Sequence, residues 1–343
     1  MKILFVFKEK PHENKFVYSL RDALLEKKID ATCSVDDFWH NYETYDIIHF
    51  HWLIGHISLS GSEDVELFKK QVDAVRARCK IVVTCHDIKS HFENDIFLNN
   101  AYKYLFEHCD VMIHIGKHSY DHFLKQSDIK INHYIIPHHI YNNEYDFSIE
   151  KSVARNRLKI PLDAKVLLCF GLFRNNVERN LALNAWKKVD LPKKYLLAPR
   201  FFPVNKKYFA GFKQRVKAAY YRLRGVRFTN DFIPHDMVET YFCAADVLMI
   251  QKVATTNSGN LTLGFHAKKV VVGPNVGNIK EILEKTGNPV FDPNDIATVT
   301  KAMKDGFRLK ETELPQNNYD YAMSNWNVSE IALQHVDVYQ KII

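Results

Sequence analysis

Short apolar runs alternate with amphipathic stretches along this chain, and the alternation stops once and then starts again. A run of four to eight apolar residues between turn signals fits a strand buried on both faces. Such strands separated by helical patterns argue for parallel α/β units. The first series predicts strands at Ile3–Phe7, Ala31–Val35, Ile47–His51, Ile81–Cys85, Val111–Ile115 and His133–Ile136, with helices near Asn14–Lys28, Asp64–Arg78, Asn94–His108 and Lys117–Gln126. A polar connection without strong periodicity, Tyr141–Asp163, follows. The pattern resumes at Val166–Phe170 and runs through Tyr195–Ala198, Val226–Thr229, Val247–Ile250, Val270–Gly273 and Pro289–Phe291. At 343 residues the chain exceeds the usual single domain, so the restart divides it. The expectation is an α/β protein of two doubly wound, Rossmann-like domains facing a cleft. Their bounds are 1–150 and 151–325, with a C-terminal helix, 326–343, packing back on the first. In such sheets ligands bind beyond the carboxyl ends of the strands.

Composition narrows the class. Hydrophobic residues at 46% and charged residues at 25% are those of an ordinary globular enzyme. A net charge of +7 suits anionic substrates or an anionic membrane surface and does not call for nucleic acid. The six cysteines stand singly with no CxxC, which points away from structural zinc and disulfides and toward a reducing cytoplasm. Met1 leads straight into KILFVF, which is not a signal peptide pattern. No apolar run reaches the ~18 residues of a spanning helix, so a soluble or peripheral protein is expected.

The densest local signal is Val253–Glu281, VATTNSGNLTLGFHAKKVVVGPNVGNIKE. After the apolar strand Asp246–Ile250, the residues Asn257, Ser258, Gly259 and Asn260 form a polar turn that opens a helix, where free backbone N–H groups suit an anion. One polar residue suffices for capping, and here six positions are polar or small. A second strand-turn-helix unit stands roughly ninety residues earlier, at Gly171-Leu172-Phe173-Arg174. Its glycine permits close backbone approach, and Arg174 can fork onto phosphate oxygens, with Arg179 as a further cation. Paired turns of this kind suggest a nucleoside diphosphate pocket. The plainer alternative is two ordinary turns with surface arginines.

Histidines gather at strand ends in the first half: His49, His51 and Trp52; His86 with Asp87; and His138 with His139. One such histidine is usually a satisfied polar residue, but three clusters suggest a polar, sugar-sized pocket. Their spacing carries no zinc signature. Asp87 could orient an imidazole for general-acid work, and Glu9 or Glu13 could act as a base, although solvated charges before a helix explain that pair better. Between Lys206 and Arg227, basic residues interleave with aromatics. That pattern fits a membrane-surface helix or, more plainly, a sheet-covering helix with one solvated face.

Taken in order, IIHFHWL (Ile47–Leu53), VVTCHDIKSH (Val82–His91), IIPHHIY (Ile135–Tyr141), LLCFGLFR (Leu167–Arg174), AADVLMI (Ala244–Ile250) and the NSGN segment resemble the GT-B glycosyltransferases, and bacterial glycosyltransferase family four in particular. The resemblance implies a nucleotide-sugar site in the second domain and an acceptor site in the first. It matches His86 to the histidine that reaches the transferred sugar and Arg174 to a diphosphate-contacting arginine. Gly171, Arg179, Phe232, Ile233, Asn257, Ser258, Gly259, Asn260 and Glu281 would serve the donor, and Asn14, His51, Trp52 and His138 the acceptor. The family's lysine falls on Val177, and its paired glutamates fall on Thr255 and Leu263, so those contacts are missing or made differently.

The function implied is a metal-independent, retaining transferase. It would move a sugar from a UDP- or GDP-linked donor to a glycan or lipid-linked acceptor, in bacterial surface polysaccharide synthesis. It would use no cofactor and lie in the cytoplasm or against the inner face of the membrane. The alternatives are a catalytically idle nucleotide-sugar binder and a sugar-nucleotide epimerase, which would draw on Asp87 and Glu281. A nicotinamide enzyme is disfavoured, since neither half opens with GxGxxG.

Overall fold

The computed structural model describes residues 1–8, 15–86, 95–201, 219–223 and 225–343. By its internal contacts the chain divides into two compact units, Met1–Glu144 with Asn325–Ile343, and Tyr145–Ser324. Each is built on a six-stranded sheet in which every pairing is parallel.

In the first unit the strands are β1 (Lys2–Phe5), β2 (Asp30–Cys33), β3 (Ile47–Phe50), β4 (Lys80–Cys85), β5 (Val111–His114) and β6 (Asn132–Ile135), in the order β2-β1-β3-β4-β5-β6. The order reverses between β1 and β3. All four residues of β3 are buried, as expected for a strand covered on both faces. One cover is α3 (Ser62–Arg76) and α4 (Ile96–His108), following α1 (Phe16–Glu26) and the short α2 (Asp36–His40). The face carrying Leu4, Ile48, Phe50, Ile81, Val83 and Met112 packs on Val65, Phe68, Val72, Leu98 and Leu105 of α3 and α4. Each such side chain contributes about 1.5–3 kcal/mol by leaving water. The next helix, α5 (Lys117–Gln126), has the bounds the periodicity predicts.

The second unit opens with α6 (Lys151–Arg157), inside the polar connection that shows no strong periodicity. Seven residues are too few to display a period. Tertiary contacts hold the helix: Arg155 is buried and its Nη2 donates to Asp246 at 2.9 Å, while Ala154 packs on Cys243 and Ala244. The strands are β7 (Lys165–Leu168), β8 (Lys194–Ala198), β9 (Val226–Phe228), β10 (Val247–Met249), β11 (Val270–Pro274) and β12 (Val290–Phe291), in the order β12-β11-β10-β7-β8-β9. Here the reversal falls between β7 and β10. Leu167, Leu196, Val247, Met249 and Val272 form a core with α7 (Asn176–Lys188) and a later helix, Ile296–Leu309, through Leu181, Ala182, Trp186, Val299 and Met303.

In chain order α8 (His235–Ala244), α9 (Gly259–His266), α10 (Gly277–Lys285), α11 (Ile296–Leu309), α12 (Leu314–Trp326) and α13 (Val328–Gln340) follow. The last of these belongs to the first unit and packs along α1. There the buried Tyr339 Oη lies 2.7 Å from His49 Nδ1. No described helix is long and apolar enough to cross a membrane.

Candidate functional site

In the second unit the chain order reverses between β7 and β10, the place where an open α/β sheet leaves a crevice at its strand ends. The loop after β7 carries Gly171 and Arg174. Gly171 has φ +85°, which a side chain adopts only with strain, yet nothing lies within 4 Å of where its Cβ would be. The glycine serves the turn, and the space beside its Cα is open. Asn175 caps α7, its side chain accepting from the Glu178 N–H at 3.0 Å.

That cap aims Glu178, which is fully buried, back under the turn. Its carboxylate accepts from the backbone N and the Nε of Arg174, each at 2.8 Å, and pairs with Lys252 Nζ at 3.5 Å. Arg174 Nη2 crosses to the Ala254 carbonyl at 2.7 Å, so one side chain ties the ends of β7 and β10 together. Among the described residues the other guanidinium N–H groups of Arg174 have no acceptor. Lys252 also donates to the Leu172 carbonyl. Burial pushes its ammonium down to about 8, with Glu178 opposing and Arg174 and Arg200 reinforcing the shift. Lys252 and Arg200 escaped the sequence reading. Each follows an apolar strand by only two or three residues, and that position was the one available signal.

Arg179 is buried, and its guanidinium turns onto the Phe173 and Phe201 carbonyls (3.4 and 3.3 Å) and Asn176 Oδ1 (2.6 Å). Val177 is 60% exposed on the outer side of α7. Ser258 is the extended N-cap of α9 without a side-chain cap bond, and Gly259 and Asn260 already lie in the helix. The turn is thus shorter than the Asn257–Asn260 expected, because the helix begins as soon as Ser258 leaves extended geometry. Asn260 Nδ2 donates to the Phe170 carbonyl at 2.8 Å, and Asn257 Oδ1 accepts from Asn278 Nδ2 at 2.7 Å. After β9, Phe232 is 47% exposed while Ile233 is buried. Glu281 is exposed on α10.

In the first unit the structure gathers the predicted histidines around one ring. Phe16, at the start of α1, has His51, Trp52, His86, His138 and His139 at centroid distances of 5.4, 5.9, 5.2, 4.6 and 4.5 Å. His86 stacks on Trp52 at 3.9 Å, and its Nε2 lies 3.1 Å from His51 Nδ1. His51 Nε2 is buried without a partner. Burial, with His138 and His139 adding to it, holds His86 well below the ordinary imidazole range. At neutral pH the ring is a neutral donor or acceptor and not an imidazolium acid. His138 and His139 are pushed down by burial to about 3 and about 4. His49 is satisfied by Tyr339 and by Thr84 Oγ1 at 2.8 Å. Phe16 carries no polar group to attract notice in a sequence, and only packing reveals it as the centre of the cluster.

Asn14, Asp87, Glu9, Glu13 and most of the basic stretch, including Lys206, lie outside the described residues. Among the described residues no group of three His, Cys, Asp or Glu is placed to hold a metal ion.

A scan against protein-family profiles and a search of curated proteins returned no match. Among solved structures the chain is similar to HepE of Anabaena in complex with UDP and glucose: TM-score 0.72, 15% identity, covering 99% of this chain and 100% of that one. It is also similar to sucrose-phosphate synthase of Thermosynechococcus elongatus (TM-score 0.64, 17%, 98% and 80%). A third likeness is to WaaG, a glycosyltransferase involved in lipopolysaccharide biosynthesis (TM-score 0.66, 11%, 99% and 99%). At these identities the likeness shows the fold, which is GT-B, two doubly wound parallel α/β units in one chain.

Proposed function

We propose that the protein is a glycosyltransferase that takes its sugar from a nucleoside diphosphate. One observation carries the reading: Arg174 and Lys252 converge on a single buried carboxylate, Glu178, at the reversal point of the second sheet. Two cations share one anion there, and the site favours a further negative group. A diphosphate beside them gains charge-assisted hydrogen bonds when bound, and gains more when it leaves with the charge of the broken glycosidic bond. A neutral His86 would position the transferred sugar and the incoming hydroxyl by hydrogen bonding. HepE was crystallised with UDP-glucose, which supports a UDP-linked donor here, and a GDP-linked one is kept beside it.

Retention of configuration, independence of metal and cofactor, and a glycan or lipid-linked acceptor in bacterial surface polysaccharide synthesis complete the proposal. These finer points come from the motif resemblance, and so does a place in the cytoplasm or against the membrane's inner face. Incubating the protein with UDP- and GDP-sugars, with and without glycan acceptors, tests it. Donor-dependent release of nucleoside diphosphate with matching sugar transfer is expected. Tight nucleotide binding with no turnover on any donor would make the chain a binder.

A further inference from the structure

Reading across the second sheet, the ends of β10, β7, β8 and β9 present Lys252, Arg174, Arg200 and Phe232 in that spatial order. Three neighbouring strands end in cations and the fourth in an aromatic ring. The third cation has no part in the arrangement around Glu178.

Arg200 differs from the fully buried arginines of its unit, and shares an orphaned Nε over an aromatic ring with Arg227, which lies within β9 over Tyr195 and not at a strand end. Arg155 and Arg179 spend their donors on carbonyl and carboxylate oxygens of the protein. Among the described residues the Arg200 Nε is buried with no hydrogen-bond partner, and its guanidinium carbon stands 5.3 Å from the centre of the Phe232 ring. A buried donor without an acceptor is destabilising, and at Arg200 this cost falls on a residue at the strand end beside the Arg174 turn. The backbone is unfavourable too, since Arg200 has φ +58°, a left-handed conformation that a side chain enters only at a cost.

Flanking contacts impose that conformation. The Arg200 carbonyl accepts from Phe173 N at 3.3 Å, Phe201 N donates to the Thr229 carbonyl at 2.9 Å, and the Phe201 ring is buried against Phe173. The chain thus fixes, beside the turn that carries Arg174, a cation with unused donors on an exposed aromatic shelf. Strained residues over-determined by their surroundings concentrate where a ligand is bound.

Resting on the donor reading above, we propose that Arg200 holds the nucleoside-proximal phosphate of the donor, with Phe232 as the surface on which its base lies. The spatial order supports this assignment. Arg174 and Lys252 sit together at the reversal point and take the phosphate next to the sugar. Arg200 lies one strand nearer the aromatic, where the phosphate adjoining the nucleoside must fall. The guanidinium supplies a planar fork to phosphate oxygens and stacks against Phe232 at the same time.

The test compares nucleoside monophosphates, which carry only the proximal phosphate, with diphosphates. Calorimetry with UMP, UDP, GMP and GDP is run on the wild-type protein, Arg200→Gly, Arg200→Gln and Arg174→Ala. Arg200→Gly and Arg200→Gln should weaken the monophosphate and diphosphate of the preferred base by similar factors, about tenfold or more. Arg174→Ala should weaken the diphosphate more than the monophosphate. Because glycine accepts the left-handed backbone, Arg200→Gly should melt no lower than wild type. Unchanged affinity in both Arg200 variants overturns the proposal. So does a loss confined to diphosphates, a melting point of Arg200→Gly well below wild type, or a wild-type protein that binds none of the four nucleotides. Absence of sugar transfer with the Arg200 effect intact would instead overturn the transferase reading and leave this assignment standing.

Discussion

His86 and Arg174 are the two residues on which sequence and structure bear most directly, and they carry different risks when changed. His86 is buried among rings, held neutral, and bonded to His51. It belongs to the first unit, while the cation cluster belongs to the second. A group that acts on the sugar and not on the nucleotide affects the transition state more than ground-state binding. We expect His86→Ala to keep nucleoside diphosphate affinity within about threefold while losing about a hundredfold in transfer or donor hydrolysis. Wild-type turnover in that variant would remove His86 from the chemistry. Arg174 has a second duty, because it supplies two of the hydrogen bonds that reach buried Glu178. Arg174→Ala keeps the backbone N–H but leaves Lys252 as the nearest ion-pair partner of that carboxylate. Diphosphate affinity should fall about ten- to a hundredfold, and the melting temperature should fall as well. Calorimetry and thermal unfolding read the two effects separately, and an unchanged diphosphate affinity would take Arg174 out of the site.

Turns at the strand ends set the geometry of the second unit, and one of them depends on a single glycine. Gly277 opens α10 with φ +58°, and a Cβ there would run into the Thr255 and Thr256 carbonyl oxygens. Asn278 N donates to the Thr256 carbonyl at 2.9 Å, so the start of α10 is fastened to the loop before α9. Gly277→Ala should cost about 1–3 kcal/mol through backbone strain and displacement of that loop. The measurement is urea unfolding together with nucleotide affinity, and both should drop. A variant as stable as wild type would show that the loop shifts freely and is not a fixed part of the site.

At the scale of the whole molecule, buried histidine is concentrated in the first unit. His49, His51, His86, His138, His139 and His335 all have imidazoles depressed by burial, His139 and His335 to about 4 and His138 to about 3. Folded, these rings are neutral. Unfolded, they titrate near the ordinary value of about 6.5, so the unfolded chain binds more protons at any pH between the two values. Stability is therefore intact above about pH 6.5 and is lost as pH falls toward 4, by up to about 1.4 kcal/mol per pH unit for each ring. Urea unfolding followed by tryptophan fluorescence should show a steep decline between pH 6.5 and 5. A flat profile across that interval would mean that the rings are hydrated and titrate normally.

Local pattern was enough to place the strands and most of the helices, because a doubly covered strand must be a short continuous apolar run and a covering helix must have one apolar face. The helix Lys151–Arg157 was hidden, since ion pairing to Asp246, far away in the chain, holds it and no period marks it. The candidate site divides in the same way. Arg174 and the strand-end histidines could be named from position after a strand, and Phe232 only from the motif resemblance. The convergence of Lys252 on Glu178, the hub at Phe16 and the strained backbone of Arg200 could not. Each is a relation between segments brought together only when parallel strands pair, and strand order is not written in any local window. The sequence by itself determined that this chain forms buried parallel strands with polar, ligand-ready ends. Tertiary structure decided which ends are neighbours, because pairing order and burial, not residue type, set which charges share a carboxylate and which remain free for a ligand.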